Sequence, residues 1–170
     1  MIKQKNVQEI VTTAFLEVCI VDQHLLKVAA NERSVTHRLA IYIEHEIAAS
    51  LKYKNYHVDC EYNRSNNEPK RLHDFKRNIA SDDTKGVTVY PDLIVHERGT
   101  NNNLIVIETK LDRYGLSCDK DPACTCDRCK LRVYKNELEY KYAFFIVFPT
   151  GTNLAKLDFI RPDEFIFPIA

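Results

Sequence analysis

The most informative stretch of the sequence is Leu104-Ile105-Val106-Ile107-Glu108-Thr109-Lys110. Four apolar residues followed by a carboxylate and an ammonium group are typical of a buried strand that ends at the edge of a sheet. Because side chains alternate along a strand, the even-numbered residues are predicted on one face and the odd-numbered residues on the other. Charge at the edge of a hydrophobic sheet costs free energy unless it is paired or binds an ion. The end of this strand therefore indicates a functional site.

A second predicted strand, 87–96, contains Pro91-Asp92 and is joined to the first by 97–103, which has the Gly and Asn residues of a hairpin turn. The hairpin brings Asp92 towards Glu108. Carboxylate oxygens suit Mg²⁺, and the backbone carbonyl of Thr109 can complete the metal shell. Lys110, two residues from Glu108, can hold a water molecule and stabilise charge on phosphorus. The alternative is a surface hairpin with an ordinary Glu–Lys pair.

The rest of the chain predicts helices and strands in alternation. The predicted helices cover 8–21, 31–52, 72–79 and 126–138, and further strands cover 56–62, 142–148 and 164–169, the last being a strand or an extended tail. The residues 64–86 are polar and irregular. This order predicts an α/β fold, a mixed β-sheet flanked by α-helices, in a single domain over 1–170.

Glu32 follows Asn31, which is a suitable N-cap for the second helix. At about 100° per residue, Glu32 falls within the apolar stripe of that helix, so its carboxylate is predicted to face the surface on which the helix packs. The alternative is an acidic residue that is favoured at this position by the helix dipole alone.

These motifs resemble the PD-(D/E)XK nuclease-like superfamily, the restriction-endonuclease-like fold, and small bacterial members within it. Besides Pro91-Asp92 and Glu108-Thr109-Lys110, the resemblance includes 31–34, 58–64, 127–131 and 142–148. It implies that Asp92 and Glu108 bind Mg²⁺ or Mn²⁺, that Lys110 assists catalysis, and that Glu32 joins the metal shell. The expected activity is a metal-dependent nuclease that hydrolyses phosphodiester bonds, with DNA as the expected partner.

Further candidate residues follow from the same resemblance. Tyr62, Asn63 and Arg64 end a predicted strand beside the site and are candidates to contact substrate. Asp127 and Lys130 match a helix that flanks the site in similar proteins; we expect both to be solvated, with contact to phosphate as the alternative. Two other functions stay open: a non-cleaving member of the fold that binds nucleic acid or protein, and a zinc-dependent interaction protein.

Composition limits the class of protein. The 24 basic and 24 acidic residues give a net charge of zero, which argues against a protein that coats nucleic acid nonspecifically. No apolar run approaches the roughly 20 residues that a membrane span requires. The first residues do not have the pattern of a secretory signal, so the cytoplasm is the expected compartment. A homodimer is left open.

Four of the six cysteines form what we call the four-cysteine cluster: Cys118, Cys124, Cys126 and Cys129, with spacing C-x5-C-x-C-x2-C. Four thiolates are the number that a closed tetrahedral Zn²⁺ site needs. The spacing lacks two C-x2-C pairs, so free thiols are the alternative. Cys19 and Cys60 have apolar neighbours and are predicted to be small core residues.

Overall fold

A computed structural model describes residues 5–65, 68–72, 87–112, 122–151 and 162–169. The α-helices in these segments are α1 (Val7–Val21), α2 (Gln23–Lys27), α3 (Glu32–Ala48) and α4 (Pro122–Glu137), and short 3-10 helices cover Leu51–Tyr53 and Pro162–Glu164. As predicted, Asn31 is the N-cap of α3: its side chain accepts a hydrogen bond of 2.8 Å from the backbone N–H of Ser34. This cap places Glu32 in the first turn of the helix.

The strands of the described segments form one five-stranded sheet and two short antiparallel pairs. They are β1 (His57–Cys60), β2 (Arg64–Ser65), β3 (Glu68–Pro69), β4 (Arg71–Leu72), β5 (Val87–Thr88), β6 (Leu93–His96), β7 (Asn103–Asp112), β8 (Tyr142–Pro149) and β9 (Ile166–Pro168). The main sheet has the order β1-β6-β7-β8-β9; β2 pairs with β3 and β4 with β5. Only β7 and β8 are parallel in the main sheet, and α4 makes the crossover between them, as parallel neighbours require.

Helices cover both faces of the main sheet. Helices α1 and α3 pack on one face, where Phe15, Leu39 and Ile107 belong to the same buried cluster. Helix α4 packs on the other face through Leu131 and Tyr134. The prediction of an α/β fold with a mixed sheet flanked by helices is thus confirmed.

Several element boundaries differ from the sequence prediction. The predicted strand 87–96 is two strands: β5 pairs with β4, and β6 begins at Leu93 after Pro91, which has no N–H to donate to a ladder. The second helix ends at Ala48, four residues early, and α2 was not predicted. Of the predicted helix 72–79, Leu72 lies in β4 and the remainder lies outside the described residues.

Cys19 is buried as predicted, but Cys60 is exposed at the end of the edge strand β1. Within the described segments, none of the helices has the length and hydrophobicity that a membrane span requires.

Candidate functional site

Asp92 is positioned by the point at which β6 stops pairing with β7. The last matched pair of these strands is Leu93 with Ile107. Asp92 comes just before Leu93, and β7 continues past Ile107 without β6 as its neighbour. The N–H of Thr109 on this open side donates to Asp92 Oδ2 at 2.8 Å, and the Thr109 hydroxyl is 3.2 Å from the same oxygen. The Thr109 hydroxyl also lies 2.7 Å from that of Thr36 on α3. The Asp92 carboxylate is therefore held by β7, with α3 as support.

Glu108 is almost completely buried, with 2 % of its surface exposed. Lys130 of α4 donates to Glu108 Oε2 at 3.0 Å. Within the described part of the chain, Glu108 Oε1 is buried and makes no hydrogen bond. Burial raises the pKa of the Tyr134 hydroxyl, and the Glu108 charge and a hydrogen-bonding interaction with Glu108 act in the same direction, although this contact lies outside ordinary hydrogen-bond geometry. Buried oxygens normally have well-formed partners, so Oε1 of Glu108 can still accept a ligand.

Lys110 and Lys130 both contact Asp127, and each also contacts a second carboxylate. Lys110 Nζ lies 3.0 Å from Asp127 Oδ2 and 3.4 Å from Glu32 Oε1. Lys130 Nζ lies 3.0 Å from Asp127 Oδ1, the same distance as to Glu108. Asp127 thus connects the lysine of β7 to the lysine of α4.

The expectation that Asp127 and Lys130 are solvated is wrong. Asp127 is buried, and the Lys130 side chain is 14 % exposed. Asp127 lies four residues before Leu131, and Lys130 four residues before Tyr134; because Leu131 and Tyr134 pack against the sheet, this side of α4 turns the two charges towards Glu108. That spacing is present in the sequence and could have identified them.

The site has more carboxylates than lysines, and the pKa values of three of these carboxyl groups are raised. Burial, helped by the nearby Asp92 charge, raises the pKa of Glu108 to about 8, against the opposing effect of Lys130. Burial also raises the pKa values of Asp92 and Glu32, although hydrogen bonds and the lysines oppose this. For Lys110, burial is outweighed by Asp127 and the other carboxylates, so its pKa is raised. Lys110 therefore stays positively charged at neutral pH, whereas ionisation of Glu108, Asp92 and Glu32 is disfavoured.

A cleft of about 440 Å³ opens beside these residues, between the first turns of α3 and the end of β1. It is lined by Glu32, Arg33, Thr36, His37, Cys60, Glu61 and Asp92. Glu32 and Asp92 therefore share one cavity, and the negative charge of Asp92 contributes to the raised pKa of Glu32. Among the sequence candidates, the structure brings together Glu32, Asp92, Glu108, Thr109, Lys110 and Lys130.

The candidate substrate contacts Tyr62, Asn63 and Arg64 follow the cleft residue Glu61 but are not part of the described lining. The Tyr62 ring packs on His96 with centroids 4.8 Å apart, and Lys70 Nζ lies 5.6 Å from its centre. A role of these three residues in substrate binding stays a prediction.

Within the described residues, no three His, Cys, Asp or Glu side chains are arranged as a ready metal site. For the four-cysteine cluster, Cys118 and the side chain of Cys124 lie outside the described residues, while Cys126 and Cys129 have free thiols. A zinc site there stays a prediction. For Mg²⁺, the donor types fit: this ion is usually bound by one or two carboxylates and keeps several waters, and Asp92 and Glu108 are two such carboxylates.

Sequence reasoning missed Thr36, Tyr134 and Arg33, and it did not anticipate that Asp127 anchors both lysines. Thr36 follows Glu32 by four residues on the same face of α3 and donates to the carbonyl oxygen of Glu32 at 2.9 Å. No pattern in the sequence indicated that Arg33 lines the cleft, because its position depends on how α3 packs against the end of β1.

Comparison of the chain with protein-family models, with curated proteins and with solved structures gave no match. The resemblance to the PD-(D/E)XK superfamily therefore rests on the motifs alone and stays a prediction.

Proposed function

We propose that this chain is a metal-dependent nuclease of the PD-(D/E)XK class, with a restriction-endonuclease-like fold and with DNA as its expected substrate. Asp92 and Glu108 hold one Mg²⁺ or Mn²⁺ ion, with Glu32 and the Thr109 carbonyl as further ligands. Lys110 lies at the same edge of the sheet as the two carboxylates and acts on the phosphate and the attacking water.

The observation that carries this proposal is the charge imbalance around Glu108. Four carboxylates, those of Glu32, Asp92, Glu108 and Asp127, are gathered around two ammonium groups, those of Lys110 and Lys130. If all four acids are ionised, two negative charges remain, which equals the charge of one divalent cation. The unpaired Glu108 Oε1 supplies a ligand atom for that cation.

The residues of the chain have separate tasks in this proposal. Thr109 holds Asp92 through its N–H, and Lys130 holds Oε2 of Glu108, so Oε1 stays available. Lys110, anchored by Asp127, stays charged at neutral pH and stabilises negative charge that develops on the phosphate. When bound, a divalent cation supplies positive charge for the scissile phosphate and acidifies a water molecule.

The test is cleavage of plasmid, linear and single-stranded DNA, and of RNA, with Mg²⁺ or Mn²⁺ supplied in turn. Asp92→Asn and Glu108→Gln should each abolish cleavage without unfolding the protein, because each keeps the side-chain shape and removes a charged ligand. Lys110→Ala should reduce cleavage by about 100-fold or more, the effect typical of losing one group that stabilises developing charge. Cleavage that persists undiminished in both Glu108→Gln and Lys110→Ala would refute the proposal.

The runner-up is a non-cleaving member of the fold that binds nucleic acid or protein. The observation in its favour is that Lys110 is already held by both Glu32 and Asp127, which restricts its movement towards a phosphate. Binding of DNA with no cleavage under any of the four substrates and two metals would favour this function.

A further inference from the structure

The cleft beside Asp92 has two walls, and one ion pair joins them. Glu32, Arg33, Thr36 and His37 come from α3, and Cys60 and Glu61 come from the end of β1. Across the cleft, Arg33 Nε lies 2.7 Å from Glu61 Oε1. This ion pair joins the two walls, next to the carboxylate of Asp92.

The ion pair between Arg33 and Glu61 allows Arg33 to exchange Glu61 for another anion. The side chains are 83 % and 48 % exposed, and such solvated pairs contribute little stability. The position of Glu61, in contrast, is firm: its N–H donates to the Asp92 carbonyl oxygen at 3.2 Å, and its φ is 49°, the left-handed region. Arg33 can therefore leave Glu61 at little cost, and its guanidinium fork matches the oxygens of a phosphate.

The size of the cleft limits what enters it. Its volume of about 440 Å³ is within the range of about 300–1,000 Å³ for pockets that enclose one small ligand. A nucleotide unit at a strand end, or one extruded from its stack, is such a ligand, and enzymes that act on bases use pockets of this kind. A base that stays paired and stacked within a duplex cannot enter such a pocket, because it must first leave the stack.

From these observations we infer that the cleft receives one unpaired nucleotide unit of a nucleic-acid strand, whose phosphate takes Arg33 from Glu61. The inference deepens the proposed nuclease function and rests on it for the substrate class. It makes single strands and strand ends the preferred substrates, with Arg33 as a specificity-determining residue.

The test measures binding of a fluorescent short oligothymidylate by anisotropy in buffer with Ca²⁺, with a gel to check that the probe stays intact. Arg33→Gln should weaken binding by about 10-fold or more, the effect of a lost hydrogen bond to a charged group. Glu61→Gln should tighten binding about 3-fold, because it releases Arg33. Lys54→Gln removes the same charge at the other end of β1 and should have no effect.

The double variant Arg33→Gln/Glu61→Gln separates exchange from general electrostatics. If Arg33 moves from Glu61 to phosphate, the gain from Glu61→Gln should disappear when Arg33 is absent. Additive effects of the two changes would overturn the exchange. A thermal melt of each variant checks that the fold is intact.

A relaxed, covalently closed circular duplex, which has neither strand ends nor unpaired loops, tests the substrate class, and an oligouridylate of the same length as the oligothymidylate compares RNA with DNA. Nucleotide for nucleotide, the closed circle should bind at least 10-fold more weakly than the single strand, and its binding should not respond to Arg33→Gln. Equal affinity for the closed circle, with the same dependence on Arg33, would overturn the inference. Failure of the nuclease function looks different: Arg33-dependent strand binding would persist, but no cleavage would occur with Mg²⁺ or Mn²⁺.

Discussion

Replacing Glu108 by Gln should stabilise the metal-free protein at neutral pH. The substitution keeps the volume of the side chain and leaves an amide oxygen that can accept a hydrogen bond from Lys130. It removes the negative charge that burial and Asp92 disfavour. The expected gain in free energy of unfolding therefore depends on pH.

The magnitude follows from the pKa of Glu108, which is about 8 in the folded protein and 4.5 for the exposed carboxyl group of an unfolded chain. Below pH 4.5 the Glu108 side chain is protonated in both the folded and the unfolded protein, so its stabilising effect is fully present. As pH rises towards about 8, the unfolded chain releases its proton first, and the wild type loses up to about 5 kcal/mol from this group. At pH 7 the loss is about 3 kcal/mol, and the variant should be more stable by about that amount.

The assay is urea denaturation in buffer with a chelator, from acidic to mildly alkaline pH. Glu17→Gln, an exposed change on α1, is the control and should follow the wild type at each pH. Addition of Mg²⁺ should stabilise the wild type by about 3 kcal/mol at 100 times its Kd and the variant by less. A difference between Glu108→Gln and wild type that does not grow with pH, or that favours the wild type at neutral pH, would refute this reasoning.

Three further outcomes are expected. Thr109→Val removes the hydroxyl that connects Thr36 to Asp92, so urea denaturation should show a loss of about 1–2 kcal/mol and plasmid cleavage should fall, while Thr109→Ser should restore both. Burial lowers the pKa of Lys70 from 10.5 to about 8, so the free energy of unfolding of the wild type should rise between those pH values by up to about 3 kcal/mol. Lys70→Met should abolish that rise. A Lys70→Met protein with an unchanged pH profile would contradict the burial of this ammonium group. If the four-cysteine cluster binds zinc, elemental analysis of protein purified without chelator should show about one zinc per chain, whereas four titratable thiols and no metal would exclude the site.

Sequence patterns among residues close together in the chain predicted much of the fold. The apolar run before Glu108 marked the buried strand β7, and Asn31 marked where α3 begins, because alternation and capping depend on neighbours in the chain. The short pairs β2–β3 and β4–β5 were not predicted. Two residues per strand carry too little periodicity to be recognised.

The sequence by itself determined which charged groups reach the edge of the sheet, since the strand that carries Glu108 and Lys110 also sets their spacing. The tertiary structure decided what those groups meet there. Lys110 contacts Glu32, 78 positions earlier, and Lys130 contacts Glu108, 22 positions earlier, so both contacts depend on how α3 and α4 pack on opposite faces. Burial by that packing, and not the residue type, raises the pKa of Glu108, because removal of water disfavours the charged carboxylate.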